Sequence, residues 1–241
     1  MLSITKIRAS LEDGLLSFPI TDFNVRGEFD SKSYAERLEW FVSHPISSVF
    51  VAGGTGEFFS LSKEEYKQIV ETATHTVRER IPVISSVGRS ISDALAHAKI
   101  AEEAGINALL LFPPYLTECP QDGVYDYAKT IIDNTKLPVI YYNRGNGVLT
   151  TPFILKLASN CENFIGLKDG TGNIQDLNDI IKTVGDRLSY IGGVPTAEII
   201  AEAYLSIGVT LILQPPSILY RSLPYSFIRA FGQVIKNLCP V

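Results

Sequence analysis

"KIAEEAGINALLLFPP", residues 99–114, holds both halves of the unit whose repetition decides the fold. Up to Ala104 the apolar and small residues recur at helical spacing, and Gly105 stops that pattern as a helix C-terminus favours. "INALLLF" then begins at once, and its apolar residues are continuous rather than alternating. A continuous run of this kind is a strand buried on both faces, as in a parallel sheet covered by helices.

The unit recurs along the whole chain. Short apolar, β-branched runs stand at "GLLSFPIT", "SSVFVAG", "PVISSVG", "ALLLFPP", "PVIYYN", "FIGLKD", "LSYIGG" and "GVTLIL", and each of the first seven leads into a longer segment with helix-like spacing. Helix starts are equally legible. Asp30 precedes "SKSYAERLEWFV", Ser62 has Glu65 three residues on as a capping box, and Thr151 is followed by Pro152 at the first-turn position. Eight strand–helix units in one stretch of chain favour an α/β fold of the (β/α)8 TIM-barrel kind over a doubly wound sheet.

Composition narrows the partners. The formal net charge is −5 and the charges are mixed along the chain without a basic stripe, so a small molecule is the expected partner and nucleic acid is not. "MLSITKIRASLEDG" lacks the long apolar region of a signal peptide, and no apolar run is long enough to span a bilayer. The expectation is therefore a cytoplasmic protein without a membrane partner. Cys119, Cys161 and Cys239 are far apart, without CxxC spacing, and read as reduced thiols. His44, His75 and His97 each stand alone in segments of helical pattern, which places them at helix surfaces or ends, and no metal site is expected.

In a TIM barrel the chemistry sits at the C-terminal ends of the strands. Lys168 ends the sixth run, in "FIGLKDGTGN", residues 164–173. An ammonium group facing an apolar interior is desolvated, its pKa falls, and the neutral amine can add to a carbonyl as a Schiff base. The competing reading is a lysine that snorkels to solvent or pairs with Asp169. Tyr142 ends the preceding strand, about 5 Å away at ordinary interstrand spacing, so its phenol can approach the Lys168 nitrogen and shuttle protons. A buried tyrosine with a satisfied hydroxyl is the plainer alternative. "GGTGE", residues 53–57, allows backbone N–H groups to converge on an anion, with a hydroxyl added by Thr55. Ordinary turn chemistry also explains such glycines. Arg144 directly follows "YYN" and either takes a second carboxylate bidentately or is a surface arginine.

"GGTGEFFSLSKEE", "PVIYYN" and "GLKDGTG", in this order and spacing, resemble the class I aldolase and dehydratase superfamily that includes dihydrodipicolinate synthase and N-acetylneuraminate lyase. The likeness runs from about Gly14 to Thr210. Within it, "LLSFPITDF", "YYNRGNGVL" and "YIGGVPTAE" resemble the 5-dehydro-4-deoxyglucarate dehydratase branch more than the others. The resemblance implies a Schiff-base lysine at Lys168, an assisting Tyr142, an α-keto carboxylate held by Gly54 and Thr55, Gly193 at the substrate, and no cofactor. The implied substrate is a keto sugar acid that is dehydrated and decarboxylated to 2,5-dioxopentanoate. Dimers or tetramers are implied where the C-terminal helices are intact. Two departures count against the synthase: that enzyme usually carries a second threonine where Gly54 stands and a further tyrosine where Leu116 stands. A pyruvate-type class I aldolase remains an alternative, because a Schiff base serves both reactions, and so does an inactive remnant.

After Thr210 the resemblance stops. Members of the branch typically continue Thr-Tyr-Ser-Ser-Ala-x-Phe-Asn-Phe-Ile-Pro. Codons for that pattern, read with one base lost, give Leu-Ile-Leu-Gln-Pro-Pro-Ser-Ile-Leu-Tyr-Arg, which is residues 211–221. The expectation is a catalytic domain over residues 1–210 and an out-of-frame tail over 211–241. A genuinely divergent tail is the alternative.

Overall fold

The structure, a computed structural model, describes residues 2–114, 118–194 and 200–212. Strands β1 (Leu16–Ser17), β2 (Ser48–Val51), β3 (Val83–Val87), β4 (Ala108–Leu111), β5 (Val139–Asn143), β6 (Phe164–Asp169), β7 (Ser189–Gly192) and β8 (Leu211–Ile212) alternate with helices. These are α2 (Ser31–Val42), α3 (Lys63–Val77), α4 (Ile91–Glu103), α5 (Gln121–Asp133), α6 (Thr151–Asn160), α7 (Ile174–Val184) and α8 (Ala201–Ser206). The strands pair in sequence order, each parallel to the next, and every residue of β2 to β7 is buried. The architecture is thus that of the TIM barrel which the continuous apolar runs imply. Among the described residues no ladder joins β8 back to β1.

Local signals act where the sequence places them. Asp30 caps α2 by accepting from the Ser33 N–H, and Ser62 and Glu65 form a reciprocal capping box at α3. Gly105 follows α4 with φ +81°, the left-handed conformation that a glycine adopts without strain. Helix α6 departs by one residue. Its N-cap is Thr150 rather than Thr151, because both the N–H and the hydroxyl of Thr150 donate to the side-chain oxygen of Gln121 in α5.

Two features differ from the sequence expectation. A helix the apolar pattern leaves unassigned, α1 (Ile4–Glu12), precedes β1 and is capped by Ser3. It packs against β6 and β7, with Arg8 donating to Ser189 and Ser189 donating to Glu12, and so floors the N-terminal end of the barrel. His97 is the second difference. It lies neither at a helix surface nor at an end but fully buried in the middle of α4, its ring 4.6 Å from that of Tyr66 and 5.4 Å from that of Phe58. Burial pushes its pKa down to about 4, which makes it a neutral core residue at physiological pH.

Cys119 and Cys161 are free thiols. Among the described residues no helix is long and apolar enough to cross a membrane. Cys239, Leu116 and the expected tail beyond Ile212 lie outside the described residues. The first two residues of that tail, Leu211 and Ile212, pair with Ile191 and Gly192 as strand β8, so the sheet continues into the tail's first two residues.

Candidate active site

Register brings three side chains to one face of the sheet. Tyr142 stands opposite Lys168, and Lys168 opposite Ile191, and facing residues of parallel neighbours point the same way. Lys168 is only 5% exposed. Its Nζ lies 4.2 Å from the centre of the Tyr142 ring and 4.5 Å from that of Phe18, which is itself stacked on Phe50. Burial pushes the amine pKa down from 10.5 to about 7, and the charge of Arg144 acts in the same direction. The two ring faces favour the ammonium form by about 1–2 kcal/mol each when desolvated. Removing an ion from water costs several kcal/mol, so the downward direction prevails.

The lysine neither snorkels out nor pairs with Asp169. As the next residue along the strand, Asp169 faces the other way. Its carboxylate accepts from the Thr171 N–H at 3.0 Å, the Thr171 hydroxyl at 2.7 Å, the Gly172 N–H at 3.1 Å and the Tyr204 hydroxyl at 2.6 Å. Those bonds fold the turn after β6 and leave Lys168 without a counter-ion among the described residues.

The Tyr142 phenol does approach the Lys168 nitrogen, its ring centre 4.2 Å from Nζ, while its hydroxyl donates to the Gly193 carbonyl at 2.8 Å. Burial raises the phenol pKa, and Arg144 partly opposes that shift. Gly193 also donates its N–H to the Asp169 carbonyl at 2.6 Å. A Cβ added at Gly193 would lie 2.7 Å from both that carbonyl oxygen and Lys168 Cε. Gly193→Ala is therefore expected to cost about 1–3 kcal/mol of stability, read as a lowered urea midpoint, and to displace the lysine. Gly170 is constrained likewise, since a Cβ there would lie 2.6 Å from Arg144 Cβ and 2.7 Å from Tyr142 Cε2.

The glycine turn lies on the same walls. A Cβ at Gly53 would be 3.8 Å from the Phe18 ring, and one at Gly54 would be 3.9 Å from Phe112, whose ring meets Tyr142 edge-on at 5.4 Å. Within the turn the Glu57 N–H bonds the Gly54 carbonyl and the Phe58 N–H bonds that of Gly53. Among the described residues the N–H groups of Gly54 and Thr55 have no backbone acceptor, which leaves them free for an anion. Arg144 is exposed, its guanidinium carbon 5.1 Å over the Tyr142 ring, and no carboxylate among the described residues pairs with it.

All six residues singled out in the sequence thus stand at the C-terminal end of the barrel. Phe18, Phe112 and Gly170 were missed. Phe18 and Phe112 sit where apolar runs meet the loops, so they read as core, and the Gly170 constraint appears only once Tyr142 and Arg144 are packed beside it. The arrangement offers a desolvated amine with a phenol beside it, a glycine turn with N–H groups that lack a backbone acceptor among the described residues, and a guanidinium over the phenol ring.

The chain is similar to known proteins over most of its length. The pattern of the Dihydrodipicolinate synthetase family matches residues 12–213. A protein of Pseudomonas fluorescens (strain Pf0-1) named "Probable 5-dehydro-4-deoxyglucarate dehydratase" is 43% identical over 223 residues, covering 92% of this chain and 71% of its own. A protein of Delftia acidovorans (strain DSM 14801 / SPH-1) with the same name is 43% identical over 231 residues, covering 94% and 74%. Among solved structures, dihydrodipicolinate synthase from Aquifex aeolicus superposes with a TM-score of 0.82 at 26% identity, covering 93% of this chain and 76% of that one. The chloride-inhibited synthase from Acinetobacter baumannii complexed with pyruvate gives a TM-score of 0.79 at 26% identity, covering 94% and 82%.

Proposed function

The chain belongs to the dihydrodipicolinate synthetase family, and we propose that within it the protein is a 5-dehydro-4-deoxyglucarate dehydratase, a lyase that dehydrates and decarboxylates its substrate through a Schiff base. The observation that carries this reading is the Lys168 amine, buried beside Tyr142 with its pKa pushed down to about 7. The names of its relatives choose the branch.

The roles follow from the chemistry. The free Lys168 amine adds to the C5 ketone, and the carbinolamine loses water to give an iminium. That nitrogen is an electron sink, so a C4 proton leaves and the enamine expels the C3 hydroxyl as water. The conjugated iminium then accepts the electrons of the C1–C2 bond as carbon dioxide departs. Protonation, tautomerisation and hydrolysis release 2,5-dioxopentanoate and free the lysine. Tyr142 moves protons to and from the carbinolamine oxygen, once its hydroxyl turns from the Gly193 carbonyl. Gly54 and Thr55 hold the C6 carboxylate beside the ketone, Gly193 lines the reacting carbon, and Arg144 meets the C1 carboxylate.

Borohydride reduction with an α-keto acid, followed by peptide mass analysis, tests the lysine. The expected result is an adduct at Lys168, and an unmodified Lys168 in folded protein overturns the reading. Product analysis separates the branch from an aldolase, since carbon dioxide with a semialdehyde is expected and pyruvate would identify the aldolase. The initial trapping rate is expected to rise with pH through about 7 and to level above it, because only the neutral amine attacks.

Arg144→Leu is expected to raise KM about 10- to 100-fold with kcat held or raised. A guanidinium stabilises the C1 carboxylate but not the neutral carbon dioxide it becomes, so its contribution lies in binding.

The finer readings are a cytoplasmic enzyme of glucarate catabolism that, with the C-terminus intact, assembles as a dimer or tetramer, and light scattering on a full-frame version tests the assembly. The sequence from Leu211 is assigned to out-of-frame translation on the codon agreement, and an intact frame in the resequenced gene removes that assignment.

A further inference from the structure

We infer that the loop after β1 shapes the anion-binding turn: Thr21, backed by the Asp22–Arg37 ion pair, is a positioning residue that sets affinity for α-keto carboxylates. The inference rests on reading the Gly54-Thr55 turn as the carboxylate cradle.

Thr21 is 5% exposed, and its hydroxyl donates to the Gly56 carbonyl at 2.7 Å, across 35 residues of chain. Gly56 itself is wedged, because a Cβ there would lie 3.2 Å from the Pro19 carbonyl oxygen, Ala52 Cα and the Gly53 nitrogen. The loop after β1 therefore grips the turn through both a hydrogen bond and contact. Strain in the turn calls for such a grip. Ala52 and Glu57, at its two ends, hold φ of +47° and +59°, and neither is a glycine. Left-handed backbone at residues with a side chain persists only where the surroundings over-determine it.

The Gly56 carbonyl is the group most damaging to anion binding if it rotates, since its oxygen would then compete for the space that the free N–H groups line. The Thr21 hydroxyl keeps it turned into the protein. Thr21 is fixed in turn by its neighbour. Asp22 accepts from Arg37 Nε at 2.7 Å and Arg37 Nη2 at 2.6 Å, a bidentate pair that is largely shielded from solvent. The Asp22 carbonyl also accepts from the Asp30 N–H at 2.8 Å, which moors the loop to the cap of α2. Among the described residues no hydrogen bond or ion pair joins Arg37, Asp22, Thr21 or Gly56 to Lys168, so their effect is on the carboxylate rather than on the amine.

The test is borohydride trapping of the full chain with two probes, pyruvate and acetone, which share a ketone and differ in the carboxylate. Thr21→Val is expected to lower the pyruvate-to-acetone trapping ratio about 10-fold through weaker half-saturation for pyruvate. Thr21→Ser restores the ratio, and Arg37→Gln shifts it in the same direction as Thr21→Val, a second measurement should the valine variant fail to fold. The pH midpoint of trapping stays with Lys168 in every variant. A parental ratio in Thr21→Val or Arg37→Gln, or a serine variant that does not recover it, overturns the inference and leaves the Schiff-base reading standing. Absence of any adduct in the parent protein overturns both.

Discussion

Lys168→Met abolishes the borohydride-trapped adduct, lowers turnover on the order of 10⁴-fold or more, and makes the protein more stable at neutral pH. The first two effects follow from removing the nucleophile, whose loss in a covalent mechanism leaves only binding and electrostatic contributions. The third follows from the site. Burial lowers the amine from its ordinary 10.5 to about 7, and at 1.36 kcal/mol per pH unit the folded protein carries a cost on the order of 4 kcal/mol at pH 7. Between pH 7 and 10.5 the unfolded chain binds this proton and the folded chain sheds it, so the parent's stability rises with pH across that window. Below pH 7 both states are protonated and the full cost remains. Urea unfolding of the two proteins should therefore show the largest gap below pH 7 and nearly none at 10.5. A methionine variant less stable than its parent at pH 6 would show that the amine is not desolvated.

Tyr142→Phe is expected to lower kcat by about 10²–10³-fold, with little change in KM and with an adduct that still forms but more slowly. The phenylalanine keeps the ring face that Lys168 Nζ rests against at 4.2 Å and removes only the hydroxyl bonded to Gly193. Packing and substrate binding are thus preserved while proton transfer at the carbinolamine is lost. Single-turnover trapping measured beside steady-state turnover tests this. A variant with parental kcat would remove Tyr142 from the proton path.

Legibility in the sequence divides along physical lines. Strand runs and helix caps are local, so Gly105, the Ser62–Glu65 box and the order of eight strands were readable before any contact was known. Lys168 was readable because a charged residue at the end of an apolar run violates the pattern around it. The orientation of the Tyr142 hydroxyl was not, because it depends on the Gly193 carbonyl, 51 residues away in the chain. His97 misled for the reverse reason. Its helix looks amphipathic by neighbours alone, and only the packing of Tyr66 and Phe58 against it shows that its side lies inside. Thr150 as the cap of α6 depended on Gln121 from another helix, a partner no local rule supplies.

Helix α1 packs against β6 and β7, and the Lys168 amine rests over the ring of Phe18, which is itself stacked on Phe50. Hydrolysis of the final imine needs a water molecule, which has to reach a nitrogen whose residue is only 5% exposed. The apolar walls that keep the amine uncharged therefore also keep water from the early imine.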